Sequence, residues 1–303
     1  MTNKANTNSL YGRIESWLLL LILTLIWGSS FILIKKGLDA FSPEQVASLR
    51  IVFAFAVLIP FLPASLRRLN RADFKYIAVS GIIGNLVTSL LFSVAQTKIE
   101  SAVSGALNAL TPVFTIIFAT LFFKYQVKLN QVIGILFGLA GAMMLSFVSS
   151  GGSFGAMNSY AWLIVLATIC YALNVNILKS KLASVDSKTI TSVSMLTVVP
   201  VCIVYLLFSA DFMQNLTEHP KAFNSTLSLA VLGIFSTAVG LVLYNRLIKL
   251  SSPVFASSVA YLLPIVAVLW GLWDGEQLYP LHYFSMTLII AGVLLANKSP
   301  KRN

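Results

Sequence analysis

Acidic side chains are scarce in this sequence, and none falls where a membrane-buried reaction would need one. The 303 residues hold ten Asp and Glu against 21 Lys and Arg, with two His. Glu15, Glu44, Glu100 and Glu276 sit at the rims of long apolar runs, never in their middles. Intramembrane catalysis and a mid-membrane carboxylate proton relay therefore have no candidate residue. His219 and His282 are far apart and have no partner motif, and no H-E-x-x-H, G-x-S-x-G or phosphate loop occurs. Cysteine is equally sparse. Cys170 and Cys202 lie in apolar runs and read as small buried hydrophobes, with no disulfide framework or metal spacing. No catalytic activity, metal or cofactor is expected.

Charge of any sign is also rare, at 10% of residues against about 25% in a soluble domain. With 57% hydrophobic residues and a mean hydropathy of +0.86, most of the surface must face lipid. Ten segments are long enough to cross a hydrocarbon core of about 30 Å: roughly 16–35, 43–62, 74–96, 100–123, 130–148, 160–179, 188–209, 227–248, 253–273 and 279–296. Backbone polar groups find no water there, so each should be a helix. The predicted class is an all-α integral membrane protein.

The net charge of +11 invites a nucleic-acid reading, and its distribution argues against one. With a cytoplasmic N-terminus, sixteen of the 21 basic residues fall on the inner side. Only Lys35, Lys36, Lys98 and Lys221 fall outside, and Arg50 lies within a span. This positive-inside bias sets topology, with both termini cytoplasmic, and the basic charge meets anionic headgroups. The expected partners are a small-molecule substrate and the lipid bilayer, with no nucleic acid.

Residues 78–113 and 230–265 match at an offset of 152 with eight identities, among them Gly81/Gly233, Leu110/Leu262 and Pro112/Pro264. Lys35 and Leu38 match Lys179 and Leu182 at an offset of 144. The chain thus reads as two five-span repeats, 15–148 and 160–297, joined by a Gly/Ser-rich linker over 149–160. Five is odd, so the second repeat should enter the membrane inverted, which is transporter architecture. Segment 60–73 reads as a basic inner loop and 210–226 as the longest outer loop.

Polar and aromatic residues deep in the spans are the site candidates. They are Trp27 and Ser30 in the first span, Asn85 in the third and Asn108 in the fourth. The second repeat offers Tyr171 and Asn174 in the sixth span, Tyr244 in the eighth and Tyr261 in the ninth. Each must find a partner, whether another helix, water or a ligand, because an unpaired buried amide costs several kcal/mol. Spans 5 and 10 are plain and belong at the periphery. Arg50 has three readings: a counter-charge for an anionic substrate, an ion pair with an outer acid such as Glu276, or a side chain snorkelling to headgroups. Pro112 and Pro264 recur at one repeat position, where each should kink its helix and act as a hinge. Gly134-x-x-x-Gly138 fits a helix contact, either within the chain or across a homodimer.

The run Ile26-Trp27-Gly28-Ser29-Ser30-Phe31 resembles the opening signature of EamA-domain transporters of the drug/metabolite transporter superfamily. Leu49-Arg50, the two matched prolines, Gly275-Glu276 and the five-plus-five duplication also resemble that family. The resemblance covers about 15–297. It implies a substrate cavity between the halves, lined mainly by spans 1, 3, 4, 6, 8 and 9, and export of an amino acid or related metabolite. Two departures stand out: Lys124-Tyr125 replaces the Gly-Glu usual in the first half, and Tyr171 stands where Trp is common. The expected function is a permease of small organic solutes working by alternating access in a bacterial inner membrane. A membrane-embedded scaffold or enzyme without transport is the competing class.

Overall fold

A computed structural model of the protein describes residues 3–67, 69–99, 101–149, 159–273 and 279–297; every regular element among them is helical. Helices α1 (Asn3–Gly28) and α2 (Ser30–Gly37) run on from one another, followed by α3 (Pro43–Leu58), α4 (Leu62–Arg67), α5 (Arg71–Gly81) and α6 (Val87–Ala95). Next come α7 (Ser101–Asn108), α8 (Thr111–Phe123) and α9 (Leu129–Ser149). The second repeat holds α10 (Ala161–Lys181), α11 (Ser187–Phe208), α12 (Phe212–Glu218), α13 (Ala222–Val231) and α14 (Gly240–Leu250). It ends with α15 (Pro253–Ser257), α16 (Val259–Trp273) and α17 (Pro280–Ala296).

Among the described residues, seven helical stretches are long and apolar enough to cross a membrane. They are Tyr11–Gly37, Pro43–Arg67, Arg71–Ala95, Val103–Phe123, Ala161–Lys181, Ser187–Phe208 and Ala222–Leu250. Three shorter apolar helices, Leu129–Leu145, Pro253–Val266 and Pro280–Ala296, fall where the sequence places its remaining spans. Large side chains such as Phe208, Leu207 and Phe223 point outward, 76–84% exposed, as a lipid-facing surface requires.

The helix starts follow local chemistry. Ser42 Oγ accepts from the Gln45 amide at 3.3 Å, and Gln45 Oε1 accepts from the Ser42 amide at 3.1 Å. With Pro43 in the first turn, this box fixes where α3 begins, a capping effect of about 1 kcal/mol. Asp186 caps α11 by accepting from the Lys188 and Thr189 amides. Ser42 and Asp186 are 144 positions apart, the offset of Lys35 and Lys179.

Two loop expectations need correction. The helical path continues past Pro60 through a 3₁₀ turn, Ile59–Phe61, into α4, because proline is tolerated in the first turn of a new helical segment. Segment 210–226 contains α12 and the start of α13 rather than a plain loop. Asn215 on α12 donates to Gln45 Oε1 at 3.2 Å, which ties that segment to the start of α3.

The glycines of α9 meet α17 within the chain. A Cβ at Gly134 would lie 2.6 Å from the Gly292 carbonyl oxygen, and one at Gly141 would lie 2.9 Å from that of Ser285. Small residues let the two backbones touch, since packing rather than hydrophobicity holds helices together in lipid. The Gly134-x-x-x-Gly138 face is spent on this internal contact, and it no longer argues for a homodimer.

Candidate functional site

A cavity of about 100 Å³ lies at the meeting of the two repeats. Its walls come from α1 to α3, the α5–α6 and α7–α8 stretches, α10, α11, α14 and the α15–α16 stretch. Helices α9 and α17, the plain spans 5 and 10, contribute no described lining residue. Spans 2 and 7 contribute Arg50 and Ser194, which adds two helices to the six expected.

Arg50 is 9% exposed and donates from Nε to Thr237 Oγ1 at 2.9 Å. Thr237 in turn donates to the Leu232 carbonyl at 3.3 Å. Among the described residues no carboxylate pairs with Arg50. Glu276, the acid suggested by the sequence, lies outside the described residues together with Gly275. Snorkelling does not describe Arg50 either, since its guanidinium is buried and bonded inward to the second repeat.

Local backbone irregularity places these groups, and it recurs at matched positions. The α5–α6 stretch is broken by a π-helical segment, Ile82–Leu86, and the α13–α14 stretch by another, Leu232–Val239. Adding 152 to the first gives 234–238, inside the second. Such bulges disturb regular pairing and frequently mark functional sites. Here they carry Asn85 and Thr237, which are themselves 152 apart. Two glycines bring these segments against spans 2 and 7. A Cβ at Gly233 would lie 2.6 Å from the Arg50 carbonyl oxygen, and one at Gly81 would lie 2.6 Å from that of Ser194. Arg50 and Ser194 are 144 apart, so the two contacts are repeat counterparts.

The aromatic residues pair in the same way. The Trp27 and Tyr244 rings lie 4.8 Å apart, and those of Tyr171 and Phe92 lie 6.0 Å apart. Tyr171 follows Trp27 by 144, and Tyr244 follows Phe92 by 152. All four line the cavity. The side-chain polar atoms of Asn85, Tyr171 and Tyr244 hydrogen-bond to no described protein group, so they are available to a solute or to water. Ser30, the first residue of α2, bonds back to α1, Oγ to the Ile26 carbonyl at 3.2 Å. Asn108 accepts from Thr111 Oγ1 at 3.3 Å.

Eight of the nine predicted binding residues thus converge on one cavity: Trp27, Ser30, Arg50, Asn85, Asn108, Tyr171, Asn174 and Tyr244. Tyr261 is the correction. It is fully buried away from the cavity, packed on Gly138 of α9, where a Cβ would lie 2.9 Å from its ring. A large aromatic in an apolar span covers a glycine as readily as it lines a site, and spacing alone does not distinguish the two.

Pro112 also differs from expectation. It stands in the first turn of α8 after a break between α7 and α8, so it opens a helix instead of kinking one. Its missing N–H costs nothing there. Pro264 lies inside α16, and the break in that span falls earlier, at Ser258. A tight turn recurs beside the two breaks: Ala109 donates to the Ala106 carbonyl at 3.0 Å and Tyr261 to that of Ser258 at 3.1 Å, donors and acceptors each 152 apart. Ser194, Ser236 and Asn245 line the cavity unforeseen. Adding the repeat offset to Arg50 would have found the first.

The two histidines have structural partners. His282 Nδ1 accepts from the Tyr279 amide at 3.1 Å, and His219 Nδ1 accepts from that of Lys221 at 3.2 Å.

The model of the EamA-like transporter family matches this chain twice, over residues 15–147 and 158–298. The chain belongs to that family. It is a multi-pass membrane protein with a duplicated EamA domain, and its family is one of transporters. It is 29% identical over 281 residues to YedA of Escherichia coli, named as an uncharacterized inner membrane transporter, covering 91% of this chain and 88% of that one. It is 26% identical over 282 residues to a probable terminal-alkyne amino-acid exporter of Streptantibioticus cattleyicolor, covering 92% of each. A solved crystal structure superposes with a TM-score of 0.73 at 18% identity, covering 93% of this chain and 96% of that one, which speaks for the fold alone.

Proposed function

We propose that the protein is a permease of small organic solutes that exports amino acids or related metabolites by alternating access. In this reading ten spans form two five-helix repeats, 15–148 and 160–297, with the second inverted in a bacterial inner membrane and both termini in the cytoplasm. The observation that carries it is the cavity built from repeat-matched parts of both halves, with unpaired amide and phenol groups and no acid among its described lining residues. The basic-residue distribution supports the orientation. The family membership and the naming of one relative as an amino-acid exporter support the solute class.

The moving parts are the interrupted spans. The breaks near Ala109 and Ser258 and the π segments hold fewer regular backbone bonds than continuous helix, so they are where helix halves can rock. Pro112, just past the break near Ala109, keeps that span from closing into regular helix. Counterflow of radiolabelled amino acids in liposomes, with and without a pH gradient, tests the proposal. Saturable exchange above that of empty liposomes is expected. No exchange of any amino acid or related metabolite would sink the transport reading.

A further inference from the structure

The cavity is chemically lopsided. Its backbone scaffold repeats, with Gly233 against the Arg50 carbonyl and Gly81 against that of Ser194. Its charge does not. Arg50 is the one charged side chain among the described lining residues, and its repeat counterpart is the neutral Ser194. Thr237 holds the guanidinium through Nε, and the counterpart of Thr237 is Asn85.

A buried guanidinium with a single neutral partner is incomplete. Taking an ion from water costs several kcal/mol unless opposite charge or further hydrogen bonds offset it. The Nη groups of Arg50 donate to no described protein acceptor, and neither snorkelling nor an ion pair within the described chain supplies one. The planar fork of arginine matches a carboxylate through two parallel bonds. Thr237 fixes that fork at Nε and leaves the Nη edge for a ligand. In the other repeat, Asn174 lines the same cavity, and its buried Oδ1 accepts no hydrogen bond.

We infer that Arg50 is the carboxylate-binding group of this site, with Thr237 as its positioning residue, and that the substrate is a small carboxylate-bearing molecule held by its acid end on the α3 side. The opposite end of the substrate carries an N–H or O–H donor for Asn174, beside the Tyr171–Phe92 pair. A free amine without a carboxylate is excluded, because no acid among the described lining residues offsets its charge and Arg50 repels it. This rests on the transport reading and names its substrate class.

The experiment uses the full chain in liposomes and in detergent with matched probes: a panel of L-amino acids, their carboxamides and the corresponding decarboxylated amines. Exchange across the liposome and ligand-induced thermal shift are both read. The acids are expected to exchange and to stabilise, with amides and amines at least ~10-fold weaker. Arg50→Gln should weaken the acids ~10- to 100-fold and abolish the preference for them. Arg50→Lys should retain part of it, since charge survives without the fork. Thr237→Val should weaken the acids by a smaller factor while leaving the weak amide binding unchanged, a split that general misfolding would not give.

Exchange of amides or amines as readily as acids overturns the inference while leaving transport standing. So does an Arg50→Gln protein that elutes like the wild type and keeps the preference for acids. Should Arg50→Gln fail to fold, Arg50→Lys and Thr237→Val decide: an undiminished acid preference in both overturns the inference. Exchange of none of the three series by the wild type removes the transport reading, and the inference with it.

Discussion

The indole of Trp27 donates its Nε1–H to the carbonyl of Ser236 at 2.8 Å, joining the first span to the π segment of the eighth across 209 positions. Gly240 makes the approach possible, since a Cβ there would lie 2.7 Å from that Nε1. Gly240→Ala should therefore displace the indole from Ser236 and from its tilted ring contact with Tyr244. The expected cost is about 1–3 kcal/mol from overpacking and the lost bond, read as a lower unfolding midpoint and weaker solute exchange. Unchanged values in both would show that the contact is incidental.

Lys179 closes the end of α14. Its Nζ donates to the carbonyls of Ile248 at 2.9 Å, Lys249 at 3.1 Å and Ser251 at 2.5 Å. Its repeat counterpart, Lys35, is exposed with no such bond among the described residues. Lys179→Met should cost about 2 kcal/mol by leaving the last carbonyls of α14 without a charged donor, a drop of roughly 4 °C in unfolding midpoint. Lys35→Met should leave the midpoint unchanged. Equal effects would contradict this asymmetry.

Lys124 adopts a left-handed backbone, φ 53° and ψ 31°, as the C-cap of α8. This conformation costs an L-residue about 1–2 kcal/mol, and glycine is the usual occupant of the position. The glycine that the family resemblance implies at this position would adopt the conformation without that cost. Lys124→Gly should raise the unfolding midpoint, less a small loss from added freedom in the unfolded chain. A lowered midpoint would mean that the lysine side chain has a role of its own.

The α9–α17 contact tolerates no bulk. Gly134→Leu should lower the unfolding midpoint by several degrees, because a side chain there meets the α17 backbone. If the same face instead joins two protomers, the variant keeps its midpoint and changes its oligomeric state, which light scattering in detergent reads.

The class of fold was legible because lipid leaves few choices: long apolar runs with few charges must be helices. Most of the cavity lining was legible for the same reason, since polar groups such as Asn85 and Asn174 are costly in apolar spans and need polar surroundings. Tyr261 was misplaced because an aromatic side chain satisfies a cavity and a glycine pocket alike. The π segments left no composition signal, since Ile82–Leu86 reads as an ordinary apolar helix. Ser194 was hidden by its small size and became visible only as the counterpart of Arg50.

The central claim is that one cavity between the repeats opens to each side of the membrane in turn. Ser194→Cys places a thiol on the cavity wall, after Cys170 and Cys202 are replaced by Ala. A membrane-impermeant maleimide is then added to right-side-out and to inside-out vesicles. The account predicts labelling from both sides, slowed by transported solute. Labelling from one side only, or from neither, would contradict it.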